Sequence, residues 1–261
     1  GVVQHIKDGG TVSAPTARWE QAELAMCEAA SKDWDMESDD ANAAYLNIPN
    51  NVEEYGYIPG EIDDHQAAGV DVMVCGKVNA AGAWHDYSDE DMQSGGYIPS
   101  VHCSCLYVHK DTNAKVVKYV DDYLSTGPKE QVRKHRERTN KAIPGGMKNV
   151  GDIDWREFIG VRVTRDREKK LISFDQERSI DKLLALWDMA ECKGTAAPLP
   201  EKCKLPKLEG QCADKTLQHS YRSICGAVMQ FAVKTRQECL GAAVYLAKFM
   251  SNPGEEHLNA A

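Results

Sequence analysis

The sequence predicts an α+β fold followed by an all-helical segment, and three observations lead to this prediction. Runs typical of strands are concentrated between residues 101 and 174. Apolar residues at helical spacing dominate after residue 178. Of the 261 residues, 42% are apolar and 27% are charged, so the chain can bury a core and is not expected to be disordered. No apolar run reaches the roughly 20 residues that a membrane span needs, and no signal peptide is recognisable.

The first elements are predicted from helix periodicity and turn residues. Pro15 opens a helix to about Trp34, and one apolar stripe of this helix holds Trp19, Ala22, Met26 and Ala29. A turn-rich acidic stretch is predicted over residues 47–93.

Strands and then helices are predicted for the remainder. Strands are expected over residues 101–109, 115–120, 123–125, 158–163 and 171–174. Asp121-Asp122 is expected to form the tight turn before the third of these strands. Helices are expected over residues 129–143, 178–189, 220–235 and 237–251, and Pro144-Gly145-Gly146 ends the first of them.

Charge is distributed unevenly along the chain, whose net charge is −9. Residues 1–110 carry −14 and residues 111–261 carry +5. A mainly acidic chain is a poor non-specific ligand for nucleic acid, and the basic helix over 129–143 is interpreted first as a solvated face. The nine cysteines are scattered, and none has CxxC spacing, so reduced intracellular thiols are expected rather than disulfides or a zinc site beside His102.

Tyr119-Val120-Asp121-Asp122 is the most informative string in the sequence. Asp is common in turns, so a purely structural turn is one interpretation. Adjacent carboxylates repel each other, however, and a divalent cation such as Mg²⁺ or Mn²⁺ would relieve that repulsion. A third carboxylate from residues 33–40 would complete a two-metal site for nucleotidyl transfer.

The order of several motifs resembles the reverse transcriptases of copia-type LTR retrotransposons. The strings that carry the resemblance are Asp40 with Ala44-Tyr45-Leu46-Asn47, Tyr119-Val120-Asp121-Asp122, Phe158-Ile159-Gly160 and Asn252-Pro253-Gly254-Glu255-Glu256-His257-Leu258. The resemblance implies a polymerase right-hand palm, a ferredoxin-like antiparallel sheet with helices, with partial fingers over residues 1–175. It implies a helical thumb and connection over residues 176–261, leading toward a ribonuclease H domain.

The same resemblance assigns site residues one by one. Asp40, Asp121 and Asp122 fall on the family's catalytic, metal-binding aspartates, and Asp40 is preferred to Asp39 because it lies five residues before Tyr45. Two Mg²⁺ or Mn²⁺ ions are the implied cofactors.

The resemblance also implies substrate contacts. Tyr45 and Lys148 are expected to contact the deoxynucleoside triphosphate, although core packing for Tyr45 and a solvated lysine are open alternatives. Phe158, Ile159 and Gly160 are expected to form the primer grip.

The implied function is RNA-directed DNA synthesis by a fragment of a retrotransposon Pol polyprotein. The expected partners are an RNA or DNA template with primer, deoxynucleoside triphosphates, and the integrase and ribonuclease H of an intact polyprotein, but no membrane. The expected location is intracellular, in a cytoplasmic virus-like particle or the nucleus.

The segment at 76–83 is shorter than in the family and lacks its nucleotide-pocket glutamine, so weak or absent activity is expected. The alternatives are a catalytically dead relic that binds nucleic acid or protein, and a poorly folding chain without function.

Overall fold

The computed structural model describes residues 14–50, 55–56, 68–75, 77, 79–152, 155–210 and 214–261. It contains α-helices and antiparallel sheets, as the sequence predicts. Contacts divide the chain into two compact units. The first comprises residues 1–156 and 164–172, and the second comprises residues 157–163 and 173–261.

Eleven strands are found in the described part of the chain. They are β1 (Asp35–Ala41), β2 (Tyr55–Gly56), β3 (Ala68–Gly69), β4 (Tyr97–Ser100), β5 (Cys103–His109), β6 (Lys115–Tyr119), β7 (Asp122–Gly127), β8 (Met147–Asp152), β9 (Trp155–Phe158), β10 (Val161–Asp166) and β11 (Leu171–Asp175).

Seven α-helices accompany these strands in the same ranges. They are α1 (Trp19–Lys32), α2 (Ala80–Ser94), α3 (Lys129–Ala142), α4 (Glu177–Leu186), α5 (Lys215–Lys234), α6 (Leu240–Ala247) and α7 (Glu255–Ala260). Short 3₁₀ helices cover Ala44–Asn47 and Gln237–Cys239. None of the described helices is both long and apolar enough to cross a bilayer.

A six-stranded sheet organises the first unit, in the order β4-β5-β6-β7-β1-β8. The side of α1 that carries Trp19, Ala22, Met26 and Ala29 is buried, which confirms the predicted apolar stripe. A core of large aromatic side chains, including Trp84, Tyr97, Tyr107 and Tyr123, packs around this sheet. The sheet therefore supplies a rigid support for the loops at its ends.

Helix α2 corrects the predicted turn-rich stretch over residues 47–93. Gly82 and the many acidic residues favoured turns, yet Ala80, Trp84, Ser88 and Met92 recur every four residues and are all buried on one face. This spacing is the helical period, and burial of Trp84 and Met92 stabilises a helix whose intrinsic propensity is poor.

Two turns also differ from the prediction. Asp122 is the first residue of β7, and the turn before it consists of Val120 and Asp121, because Tyr119 pairs with Asp122. The strand predicted over 158–163 is interrupted, because Ile159 and Gly160 form the turn between β9 and β10 with φ angles of +49° and +71°. Two left-handed residues in succession are typical of a tight hairpin turn.

The second unit is mainly helical after β11, as predicted from helical spacing. Tyr221, Cys225 and Leu246 form its core, and the Tyr221 hydroxyl donates to the carbonyl of Leu246 at 2.7 Å. The predicted helix over 237–251 is shorter in the structure, since its first turn is 3₁₀ and α6 ends at Ala247.

Candidate active site

The candidate site lies at one end of the six-stranded sheet, where β1 ends and β7 begins. Asp40 and Asp122 are partners in the antiparallel register of β1 and β7. Side chains of paired residues lie on the same face of a sheet, so these two carboxylates share a face. Asp39 is paired with Tyr123 instead and is buried. Strand alternation thus separates the two adjacent aspartates of β1.

The backbone of Asp121 is hydrogen-bonded to the end of β1. Its carbonyl accepts a hydrogen bond from the Ala41 N–H at 2.9 Å, which ties the β6–β7 turn to the end of β1. Ala41 is buried in the aromatic core, so the position of the N–H that bonds Asp121 is fixed by packing. The structure therefore brings Asp40, Asp121 and Asp122 to one end of the sheet.

The β6–β7 turn is strained. Val120 has φ +57°, a left-handed conformation that is rare for a β-branched residue and costs on the order of 1–3 kcal/mol. Its carbonyl accepts a 2.7 Å hydrogen bond from Trp84 Nε1 on α2. Trp84 is a residue that the sequence did not single out for the site. Its spacing with Met92 on a helical face was the available signal.

Burial and neighbouring negative charges disfavour the charged forms of Asp40 and Asp122. The pKa of Asp122 is raised to about 6, first by burial and then by the negative charges of Asp121 and Asp40. The pKa of Asp40 is raised by burial and by Asp121, and only the Lys148 ammonium acts in the opposite direction. Carboxylates whose pKa values are raised by burial and by one another's charge are typical of functional sites.

The site has the oxygen donors that a divalent cation prefers, but its carboxylates are not grouped closely around one point. Carboxylate oxygens are hard ligands suited to Mg²⁺ and Mn²⁺. Within the described ranges, no group of three or more His, Cys, Asp or Glu side chains is close enough together to hold a metal ion. The eight cysteines that the structure describes are free thiols.

Tyr45 and Lys148 flank the acidic residues. Tyr45 lies in the 3₁₀ helix after β1, is partly buried against the aromatic core, and has its pKa raised by burial and by the charge of Asp121. Lys148 is exposed on β8, and its partner in the strand register is Asp40. Both predicted substrate-contacting residues thus lie beside the carboxylates.

The predicted primer-grip residues belong to the second unit. Phe158 is buried at the end of β9. The Ile159 carbonyl accepts from Lys234 Nζ at 2.5 Å, and the Gly160 carbonyl accepts from Gln176 Nε2 at 3.2 Å. The tip of this hairpin is therefore fixed by side chains of its own unit.

Comparisons with known proteins identify relatives of the chain. Residues 3–201 match the family model described as "Reverse transcriptase (RNA-dependent DNA polymerase)". The chain is 26% identical over 271 residues to the "Retrovirus-related Pol polyprotein from transposon TNT 1-94" of Nicotiana tabacum. That alignment covers 97% of this chain and 20% of that protein. It is 27% identical over 254 residues to the "Retrovirus-related Pol polyprotein from transposon RE1" of Arabidopsis thaliana, covering 95% and 17%.

The chain spans about a fifth of the length of these curated relatives. No solved structure matches it significantly.

Proposed function

The chain belongs to the reverse transcriptase (RNA-dependent DNA polymerase) family, and from that premise we propose that it is a copia-type RNA-directed DNA polymerase fragment acting through Asp40, Asp121 and Asp122. The observation that carries the proposal is the register of β1 and β7, which pairs Asp40 with Asp122 while the Asp121 carbonyl is tied to β1. Family membership by itself would leave open whether these residues meet.

The proposed architecture follows the family's right-hand plan. Residues 1–175 form the palm with partial fingers, and residues 176–261 form the thumb and connection. The antiparallel sheet with its flanking helices and the later helical unit support this assignment.

Two Mg²⁺ or Mn²⁺ ions are the proposed cofactors, with Asp40, Asp121 and Asp122 as their ligands. When bound, such ions lower the pKa of the primer 3′-hydroxyl and stabilise the charge of the phosphoryl transition state. The residues contribute hard oxygen donors whose repulsion a cation would relieve, as the raised pKa of Asp122 indicates.

Tyr45 and Lys148 are proposed to contact the incoming deoxynucleoside triphosphate. Tyr45 is partly buried in the 3₁₀ helix that follows β1, so its ring can support the sugar and exclude a 2′-hydroxyl. Lys148 is an exposed ammonium on the strand paired with Asp40, so it can hold or protonate a phosphate oxygen. Phe158, Ile159 and Gly160 are proposed to grip the primer.

The proposed partners are an RNA or DNA template with its primer, and the integrase and ribonuclease H of a longer Pol polyprotein. Such a polymerase would work inside the cell, in a cytoplasmic virus-like particle or the nucleus. The short segment at 76–83 removes part of the nucleotide pocket, so the expected rate is low. Loss of positioning costs orders of magnitude even with intact metal ligands.

Primer extension on poly(rA)/oligo(dT) with Mg²⁺ or Mn²⁺ tests the proposal. We expect slow incorporation of dTTP that disappears in an Asp121→Asn/Asp122→Asn double variant. Asp111→Asn is the control, because Asp111 is an aspartate in a different hairpin turn, the exposed one between β5 and β6.

A folded chain that incorporates nothing with either ion would contradict the proposal. Salt-dependent binding of the duplex by that inactive chain would instead support a catalytically dead nucleic-acid-binding relic.

A further inference from the structure

The loop before Lys148 is bonded directly to the turn that carries Tyr45. Gly145, in the loop between α3 and β8, donates its N–H to Asn47 Oδ1 at 2.6 Å. The Gly145 carbonyl accepts from Asn42 Nδ2 at 3.0 Å. The Gly146 carbonyl accepts from the Asn42 N–H at 3.1 Å. Two asparagines that follow β1 thus form hydrogen bonds with the backbone of the opposite loop.

Asn47 joins both loops through one amide. While its Oδ1 accepts from Gly145, its Nδ2 donates to the carbonyls of Asn42 at 2.8 Å and Ala43 at 3.3 Å. Because the oxygen and the nitrogen each have a partner of the correct type, the orientation of this amide is determined. A rotation of Asn47 would break its bonds in both loops together, while the two Asn42 bonds to Gly145 and Gly146 would remain.

The two loops also fit each other sterically. A Cβ atom on Gly145 would lie 2.7 Å from the Asn42 carbonyl oxygen and 2.9 Å from Asn47 Oδ1. Only glycine allows this approach, because the nearest atom is backbone. At the far side of the loop, the Met147 N–H donates to Asn140 Oδ1 at 2.8 Å, just before Lys148.

These bonds connect two residues that the proposed function places on the substrate. Asn47 is the last residue of the 3₁₀ helix that contains Tyr45. The loop it holds leads directly into β8, where Lys148 is the register partner of Asp40. A displacement of either loop would therefore move Tyr45 relative to Lys148 and the acidic residues.

We propose that Asn47 is a positioning residue that sets the distance between Tyr45 and Lys148 around the deoxynucleoside triphosphate, and thereby the preference for deoxyribose. This role rests on the proposed polymerase function. Asn47 acts on the substrate through its neighbours, so its removal should change substrate binding and sugar selectivity more than the rate at saturation. Misplacement of substrate-contacting groups by about 1 Å can cost 100-fold.

The test compares Asn47→Ala, Asn47→Asp and the wild-type chain for incorporation of dTTP and UTP on poly(rA)/oligo(dT) with Mn²⁺. Asn47→Ala removes all three side-chain bonds, whereas Asn47→Asp keeps the acceptor for Gly145. Asn252→Ala is the matched control, because Asn252 also makes three side-chain hydrogen bonds to loop backbone, from its Nδ2 to the carbonyls of Leu208, Glu209 and Gly210 in the other unit.

We expect Asn47→Ala to raise KM for dTTP about tenfold, to lower the preference for dTTP over UTP several-fold, and to change kcat less than about threefold. Asn47→Asp should recover part of the KM and selectivity losses, and Asn252→Ala should change neither. Amide hydrogen exchange should be faster in both loops, 42–47 and 144–148, in Asn47→Ala alone.

Three outcomes would overturn the role. If Asn47→Ala matches the active wild type in KM and selectivity, the positioning role is wrong while the polymerase function stands. If Asn47→Ala lowers kcat and thermal midpoint together without a KM or selectivity change, Asn47 is only structural. If the wild-type chain incorporates no nucleotide, the proposed function fails and this role fails with it.

Discussion

Two charged regions of the first unit are built in opposite ways. At the end of α1, the fully buried Arg165 guanidinium donates to the carbonyls of Trp34 at 2.6 Å and Ala29 at 3.3 Å. It also pairs with the Asp33 carboxylate at 3.2 Å. Asp33 itself ends the helix in a left-handed conformation. This buried charge is matched by acceptors and joins the helix end to β10.

The acidic turn shows the reverse arrangement. Asp40, Asp121 and Asp122 bear like charges, and burial, together with the charges of Asp121 and Asp40, raises the pKa of Asp122 to about 6. The contrast shows that a charge that stabilises the fold is surrounded by partners, whereas a charge available to a ligand is left poorly compensated. The first region should lose stability when its charge is removed, and the second should gain it.

The largest expected effect is the loss of Arg165. Arg165→Met should lower the free energy of unfolding by about 3 kcal/mol, because a buried carbonyl and a partly buried carbonyl lose their donor. Urea unfolding measures this loss. Arg162→Met is the control, because Arg162 pairs with Asp175 and Glu177 at a more exposed position and should matter much less. Equal losses in both variants would mean that the buried position of Arg165 and its matched acceptors add nothing to its contribution to stability.

Lys118 gives a second test, and its expected effect on stability is slightly smaller. It is a buried cation whose hydrogen-bond partners are neutral. Its ammonium is bonded to Ser88 Oγ at 2.6 Å and the His85 carbonyl at 3.3 Å, and burial lowers its pKa to about 8 from 10.5. The unfolded chain therefore binds this proton more tightly, and the cost to stability is full below pH 8 and disappears toward pH 10.5.

Lys118→Met should accordingly stabilise the chain by about 2 kcal/mol at pH 7, with the gain vanishing near pH 10.5. Unfolding curves at the two pH values measure the difference. A loss of stability at pH 7 would mean that the two hydrogen bonds outweigh the cost of burying the charge.

Asp122→Asn should stabilise the chain by about 1 kcal/mol at pH 7, a value reduced because the carboxylate is only partly buried. The pKa of Asp122 is higher in the folded chain than its ordinary value of 3.8. The folded state therefore binds the proton more tightly, and stability falls as the pH rises from about 4 to 6. The gain should be complete above pH 6 and absent below pH 4. Asp111→Asn, which changes an exposed aspartate in another hairpin turn, is the control made in parallel and should change the stability at pH 7 much less.

The smallest expected effect is stabilisation by the cation itself. Mn²⁺ at three times its dissociation constant should add about 0.8 kcal/mol at pH 7.5, and less at pH 5, where protons compete for the carboxylates. Thermal unfolding with and without Mn²⁺ measures it. If Asp121→Asn/Asp122→Asn shows the same shift as the wild type, the cation binds elsewhere.

Local patterns were sufficient for several elements of the fold. The stripe on α1, the strand ending at His109, the basic helix α3 and the stop at Pro144-Gly145-Gly146 follow from periodicity and turn residues that act over a few positions. Local patterns did not predict helix α2, because its acidic and glycine-containing sequence is typical of a loop. The helix is stabilised by burial of Trp84 and Met92 against strands that are distant in the sequence.

The sequence by itself determined the family of the chain and predicted which acidic residues form the site, since motif order and residue type are properties of the linear chain. Only the tertiary structure decided which aspartate of β1 faces Asp122, that Val120 rather than Asp122 lies in the turn, and that Asn47 bonds to Gly145. The physical reason is that strand register and long-range hydrogen bonds are set by the packing of the whole sheet. A shift of one residue in that register would move Asp39 to the face that now holds Asp40, and Asp40 to the face that now holds Asp39.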